Sequence, residues 1–492
     1  MNKKIIIFLG ILCCIAVLCA GCVSDAENTD DISEELAYFY EICKLPHPSG
    51  NTAAMQNYLI SFAEQHNLPY EKDEAGNILI QHPGTSEKTI ILQGHQDMVP
   101  AVEDGYVFDF NKDSVEPYIK DGWIHAAHTS LGADDGSGEA IMLAALSSPD
   151  LKDCTFSCIF TVDEETTMLG ASSINPAWLN ADALVNIDGE AAQTATISSA
   201  GAITFSAVFT PEEKTVPENR KWYRLTISGL LSGHSGDDID KGRLNAIMLA
   251  ADYLSGLEDV QISAITGGTA KNAIPAGCDV VFTTTSDTAA GIEDWLAAHR
   301  AETDPGLTLT IEEAKSPEKA YTAEFTKTFL NAVLAAPNGL LEKDEYGPAV
   351  SSNLGVLTNE NGAIEITCLI RAAVAEKGKE TTEKIADVYR RAGADTTYEV
   401  LGPSWKEKGD TKLMQVTDNA YLKITGEHVR FVSIHAGLEC GHFAEKNPDL
   451  MIVSIGPTTE NNHTINERMN LETFAEVKAV TFEIVKDFCN GA

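Results

Sequence analysis

Leu92-Gln93-Gly94-His95-Gln96-Asp97-Met98, Leu131-Gly132-Ala133-Asp134-Asp135-Gly136 and Thr161-Val162-Asp163-Glu164-Glu165 are the stretches that decide how this chain is read. The first and third set imidazole or carboxylate side chains just after apolar runs, Thr89 to Leu92 and Thr155 to Thr161, that read as buried strands. The carboxyl ends of such strands are where open α/β sheets collect their ligands. A His-x-Asp alone is more often a plain hydrogen-bonded pair. Joined by Asp134, the Glu164-Glu165 pair, Asp188 in Val185-Asn186-Ile187-Asp188-Gly189-Glu190 and a late His463, it reads as a metal site.

Ligand chemistry gives the reason. Zinc and similar divalent ions take imidazole nitrogen and carboxylate oxygen, and a two-metal hydrolytic site needs about five such ligands, one of them a shared carboxylate. His95, Asp134, Glu165, Asp188 and His463 supply two imidazoles and three carboxylates. Buried carboxylates at this density repel one another and titrate upwards unless cations neutralise them. The cluster itself therefore implies the cations.

The first residues are Met1-Asn2-Lys3-Lys4, then an apolar run from Ile5 to Ala20, then Gly21-Cys22. The run is too short for the ~20 residues of a membrane span and has the form of a secretory signal. Residues 1–22 resemble a lipoprotein leader with Cys22 as the lipidated first mature residue, although Cys19 stands where such leaders usually carry Leu. Residues 23–33 are polar and acidic and read as a tether. The enzyme body is thus expected outside the cytoplasm, touching the membrane only through a lipid anchor.

The remaining body of the 492-residue chain is too long for one compact core and suggests two domains. The formal charge of −38 becomes −40 once Lys3 and Lys4 leave with the leader. Such a surface repels nucleic acid and anionic lipid. Of eleven cysteines, four lie at or before Cys22, and the other seven show no C-x-x-C spacing. Cys154 and Cys158 would stand about 13 Å apart on one strand face, too far to bond. Isolated core thiols are expected rather than a disulfide scaffold.

From Glu34 the periodicity alternates helices (34–44, 51–65, 139–146) with strands (76–81, 89–92, 155–161), an α/β pattern. Past Gly201 the texture changes to strands at 221–229, 260–266, 279–285, 307–311, 350–358, 363–371 and 396–401, with helices at 243–254, 291–300, 322–335 and 381–392. This reads as an inserted α+β domain with the look of an internal duplication. The α/β texture then resumes with a helix at 413–425, strands at 429–433 and 450–455, and a closing helix at 471–488. Because His463 lies in this last part, residues 34–201 and 402–492 must form one catalytic domain around 202–401 for the site to close.

Further runs carry a resemblance. They are Ile42-Cys43-Lys44-Leu45-Pro46-His47-Pro48-Ser49, Gly76-Asn77-Ile78-Leu79-Ile80, His95-Gln96-Asp97-Met98-Val99-Pro100, Gly233-His234-Ser235-Gly236, Asn272-Ala273-Ile274-Pro275 and His435-Ala436-Gly437-Leu438-Glu439-Cys440-Gly441. From about Leu36 to the C-terminus the chain resembles the aminoacyl-histidine dipeptidases, the carnosinase-like branch of the co-catalytic zinc exopeptidase superfamily. Departures are Asp135 where relatives often have Asn, His128 where they tend to have Arg, and Thr464-Ile465 where Ser-Pro is usual. They spare the ligands and bear on substrate preference.

The resemblance implies a zinc-exopeptidase-like catalytic domain with a mostly parallel central sheet and an inserted lid. It makes Asp134 the bridging ligand, His95 and Asp188 the other ligands of one zinc, and Glu165 and His463 those of the second. Cobalt or manganese could substitute. It implies a cis Asp134–Asp135 bond. Asp97 would orient His95 through its second ring nitrogen, and Glu164 would be the general base on the attacking water. His234 in the lid is the candidate oxyanion donor. Arg371 and Asn272 suit a substrate carboxylate, and His435 and Glu439 would shape the substrate pocket.

The expected activity is hydrolysis of unblocked dipeptides, Xaa-His or broader. Alternatives are deacylation of N-acyl amino acids and a non-catalytic peptide- or metal-binding lipoprotein, the latter having no use for Glu164. A homodimer, and whether His234 serves its own or a partner subunit's site, stay open. If Cys22 carries lipid, Cys22→Ser releases the protein from membranes, which detergent partitioning measures; unchanged partitioning would contradict the anchor.

Overall fold

Nine strands make up the first sheet of the computed structural model, which describes residues 32–360 and 362–491. The expected leader with Cys22, and the tether as far as Asp31, lie outside the described residues. The strands are β1 (Tyr70–Lys72), β2 (Ile78–His82), β3 (Thr89–His95), β4 (Thr155–Thr161), β5 (Ala183–Asn186), β6 (Thr194–Ser199), β7 (Trp405–Lys406), β8 (Arg430–Ile434) and β9 (Met451–Ser454). Their order is β1-β2-β4-β3-β5-β9-β6-β7, with β8 against β6. The centre, β4-β3-β5-β9, is parallel, while β1, β2 and β7 add antiparallel edges.

The central strands are near-continuous apolar runs because both faces are covered. Ile90, Leu92, Cys158 and Phe160 pack under the helices Ala133–Ser147 and Leu471–Cys489. Ile91, Ile159, Leu184 and Ile452 face the opposite way, toward Trp178 and Phe443. Parallel register sets His95 beside Thr161 and Gln93 beside Asn186, so the chain leaves β3, β4 and β5 at one edge. The chain goes from β3 to β4 on one side and then to β5 on the other. The crevice this reversal opens is where such sheets bind ligands.

Residues 201–402 build a second, antiparallel nine-stranded sheet. It runs from Thr308–Glu313 at one edge, through Pro348–Glu360, Ala363–Ala372 and Gly201–Phe209, to Asp395–Gly402 at the other. It has its own core of Phe205, Leu225, Ile265, Phe282, Phe329, Ile366 and Tyr389. The seven cysteines after Cys22 are all free and buried.

Two departures from the sequence reading have clear causes. The strands Thr194–Ser199 and Gly201–Phe209 are poor in bulky residues at their junction and gave no run to recognise, yet β6 is almost wholly buried. The helix read from Thr381 begins at Ala375. Its first turns look polar and hold Gly378, which packs flat on the sheet, where even an added Cβ would lie 3.3 Å from Ala372 and 3.4 Å from Ile203.

Candidate active site

The strand β3 delivers His95 at its last position. Gly94 precedes it because a Cβ there would stand 2.3 Å from Asp135 Oδ2, which accepts a hydrogen bond from His95 N (3.2 Å). Gln93 ties three strand ends together: its Nε2 donates to Thr161 Oγ1 (3.1 Å) and Glu439 Oε2 (2.7 Å), and its Oε1 accepts from Asn186 Nδ2 (2.8 Å). On the next strand over, Asp188 follows Asn186 by two residues, beside Gly189. A Cβ on Gly456 would lie 1.8 Å from Gly189 O, so the chain there can only be glycine.

His95 Nδ1 sits 2.9 Å from its neighbour's carbonyl, Asp97 O, and 3.6 Å from the Asp97 carboxylate. Asp97 thus meets the expected ring nitrogen through its carbonyl at hydrogen-bond distance and its carboxylate at ion-pair distance. The carboxylate is drawn aside by Ser49 Oγ (2.8 Å) and Glu164 N (3.1 Å). With Nδ1 occupied, His95 Nε2 points at Asp134 Oδ1 (3.0 Å) and Asp188 Oδ1 (3.5 Å). The Asp134–Asp135 peptide bond is cis.

The other oxygen of Asp134 looks the opposite way. Oδ2 lies 3.1 Å from His463 Nε2, which is 2.9 Å from Glu165 Oε2. His463 holds a left-handed backbone (φ +64°), a conformation that costs on the order of 1 kcal/mol or more and persists only where surroundings impose it. Glu164 and Glu165 open a single helical turn between left-handed Asp163 and Met168. One carboxylate oxygen of each lies within 4.8 Å of the other and of a His95 nitrogen, so the adjacent side chains diverge less than their sequence suggests.

Two triads thus share Asp134: with His95 and Asp188 on one side, with Glu165 and His463 on the other. A tetrahedral ion bonded at about 2.1 Å holds its ligand atoms about 3.4 Å from one another. The observed 2.9–3.5 Å separations match that spacing. Proton affinities say the same. Burial pushes Asp188 up to about 8 and Glu164 well above the carboxylate range. Bonds to Asp134 and Glu165 lift His463 to about 11. At His95, burial works downward but is outweighed by Asp188, Asp134 and Asp97, which raise it well above an ordinary imidazole. A cluster that gathers protons so strongly is one that divalent cations fit, and Glu165 Oε1 remains buried without a partner.

Of the other expected residues, His234, Arg371 and His435 form a second group. Arg371 Nη2 lies 3.4 Å from His234 Nε2, and His435 Nε2 lies 2.7 Å from Ser351 Oγ, whose residue pairs in register with Arg371. Among the described residues no hydrogen bond or ion pair joins His234 or Arg371 to the His95–His463 cluster. Asn272 offers an exposed side chain, and its carbonyl accepts from Ser235 N (2.8 Å). Glu439 is not beside Arg371: it is buried under the cluster, held by Gln93 and by Thr161 Oγ1 (2.8 Å), and burial raises it to about 7.

Sequence reasoning passed over Ser49, Gln93, Asn462 and Glu467. Gln93 sat within the deciding motif, where a buried amide in an apolar strand was the available signal. Glu467 gave none.

Fold and cluster together define a metallopeptidase. The chain belongs to peptidase family M20/M25/M40, whose family model matches residues 91–487. It is 32% identical to the cytosol non-specific dipeptidase of Escherichia coli over 467 residues, covering 91% of this chain and 96% of that one. The crystal structure of aminoacylhistidine dipeptidase from Vibrio alginolyticus superposes with a TM-score of 0.85 at 30% identity, covering 92% and 96%. An M20 family metallo-carboxypeptidase from Sulfolobus solfataricus shares the fold at 14% identity, with a TM-score of 0.53 over 93% and 100%.

The expected division of labour between the neighbouring glutamates can be tested. Glu164→Gln is expected to keep the metal content and lower turnover by roughly 10²–10⁴, the usual worth of a positioned base. Glu165→Gln is expected to lower metal content, with activity partly restored by excess zinc. Metal analysis beside kinetics decides, and the reverse pattern would exchange the two roles.

Proposed function

We propose that this metal-dependent peptidase cleaves unblocked dipeptides, Xaa-His among them, with two zinc ions held by His95, Asp134 and Asp188 and by Asp134, Glu165 and His463. The names of the Escherichia coli and Vibrio relatives support this reading. The observation that carries it is Arg371, 93% buried. It has no carboxylate within ion-pair distance among the described residues, and its Nε lacks a partner. A buried guanidinium is costly unless an anion meets it. Beside it, burial and Arg371 push His435 down to about 4, so that imidazole is neutral at pH 7, while the nearby Asp237 carboxylate lies against His234 Nδ1 (3.2 Å) rather than against the guanidinium. A free substrate carboxylate completes such a site, and a short substrate is one whose carboxylate lies close to the scissile bond.

When bound, the ions polarise the peptide carbonyl and lower the pKa of the attacking water. Glu164 takes a proton from that water as its oxygen bonds to the carbonyl carbon. Glu164 returns the proton to the nitrogen as the C–N bond breaks, so amine and acid leave with atoms balanced. Its buried setting favours holding the proton between the two steps. His234 donates to the developing oxyanion once the 202–401 segment closes on substrate, from its own or a partner subunit. Asn272 joins Arg371 at the carboxylate. In this reading the leader exports the chain and Cys22 anchors it, unlike the cytosolic relative.

If Arg371 receives the carboxylate, a dipeptide amide is cut much more slowly than the free acid, and Arg371→Ala removes the difference. The lost charge-assisted pair is worth about 1.5–3 kcal/mol. Equal rates on acid and amide with the native enzyme would take Arg371 out of the site.

A further inference from the structure

Glu467 lies four residues beyond His463 and is 3% exposed. Among the described residues no cation pairs with it. Its carboxylate is filled by main-chain donors instead: Oε2 accepts from Leu131 N (2.8 Å) and Gly132 N (3.1 Å), and Oε1 from Ala133 N (2.7 Å) and, more loosely, Asp134 N (3.4 Å). Successive N–H groups converging on one point, here with Gly132 in a left-handed conformation (φ +71°), form an anion-binding nest. Such a concavity commonly takes a ligand. In this chain a side chain from the far end of the sequence fills it.

The nest ends at Asp134, whose two oxygens face the two imidazoles. The loop that supplies Glu467 also supplies His463, and Asn462 Nδ2 lies 3.4 Å from Asp134 Oδ2. Removing the Glu467 carboxylate would leave buried N–H groups without acceptors, and the segment would have to turn to find others. We infer that Glu467 is a positioning residue that fixes the Leu131–Asp134 backbone, and with it the shared carboxylate, before any metal binds. Through it the C-terminal loop governs how well the cluster holds its second ion. Only this last consequence rests on the two-metal reading.

The test has two arms. In the metal-free full-length protein, hydrogen exchange is followed at the amides of residues 131–134. They are expected to be protected as strongly as the neighbouring helix, and in Glu467→Gln, which sets an amide NH₂ against N–H donors, to exchange at least about tenfold faster while the second sheet is unchanged. In the second arm Co²⁺ is titrated into native protein, Glu467→Gln and Glu467→Ala. The first ion is expected to bind as in the native chain and the second about 10–100-fold more weakly, the usual effect of losing an outer-shell partner, with a changed visible absorption spectrum. Free exchange of these amides in the native metal-free protein overturns the inference even if no variant folds. So does a variant that loses only thermal stability while binding both ions normally. A native protein that binds no pair of ions would overturn the two-metal reading and leave the first arm standing.

Discussion

Negative charge packed into a buried space is the constraint on which the rest of this structure depends. Asp134, Asp135, Glu164, Glu165, Asp188 and Glu439 converge around two imidazoles at the carboxyl edge of one sheet, and water cannot screen them. The protein meets this in two ways. Some carboxylates receive dedicated donors: Asp135 takes His95 N and Gly138 N, and Glu439 takes Gln93 and Thr161. The others, Asp134, Asp188 and Glu165, face the imidazoles, with the Asn462 amide 3.4 Å from Asp134, and form the groups that could hold cations. This division explains an amide inside an apolar strand at Gln93 and glycines at Gly94 and Gly456, where any side chain would collide.

Much of this could be read from the sequence because the strands that carry the ligands are simple. Apolar runs at Thr89 and Thr155 announce buried parallel strands, and parallel register brings their ends together wherever the ligands fall in sequence. His463 lies off this sheet, in the loop after Thr459–Glu460, and its assignment to the site rests on the resemblance. What stayed hidden depends on exact backbone direction. That His95 meets the Asp97 carbonyl more closely than the carboxylate follows from Ser49 and the Glu164 N–H, which also bond that carboxylate. Glu467, between Asn466 and Arg468, reads as an ordinary surface charge, and only the torsions of a segment over three hundred residues earlier give it a role. The isolation of Arg371 is likewise invisible in sequence, since it consists of what the fold keeps away from it.

The two groups of functional side chains have opposite electrostatic character. The cluster on the first sheet is rich in carboxylates, whereas Arg371 on the second sheet is a buried cation with His234 and the neutral His435 ring beside it. In the proposed reading a dipeptide matches both, its peptide carbonyl lying toward the carboxylate cluster and its terminal carboxylate toward the guanidinium.

The account stands on Asp134 being shared. Zinc titrated into metal-free native protein, Asp134→Asn and His463→Ala, with bound metal counted per chain, tests this most directly. The account predicts two ions in the native chain, loss of tight binding at both positions in Asp134→Asn, and one ion retained in His463→Ala. A native chain that saturates at one ion, or an Asp134→Asn chain that keeps two, would contradict it.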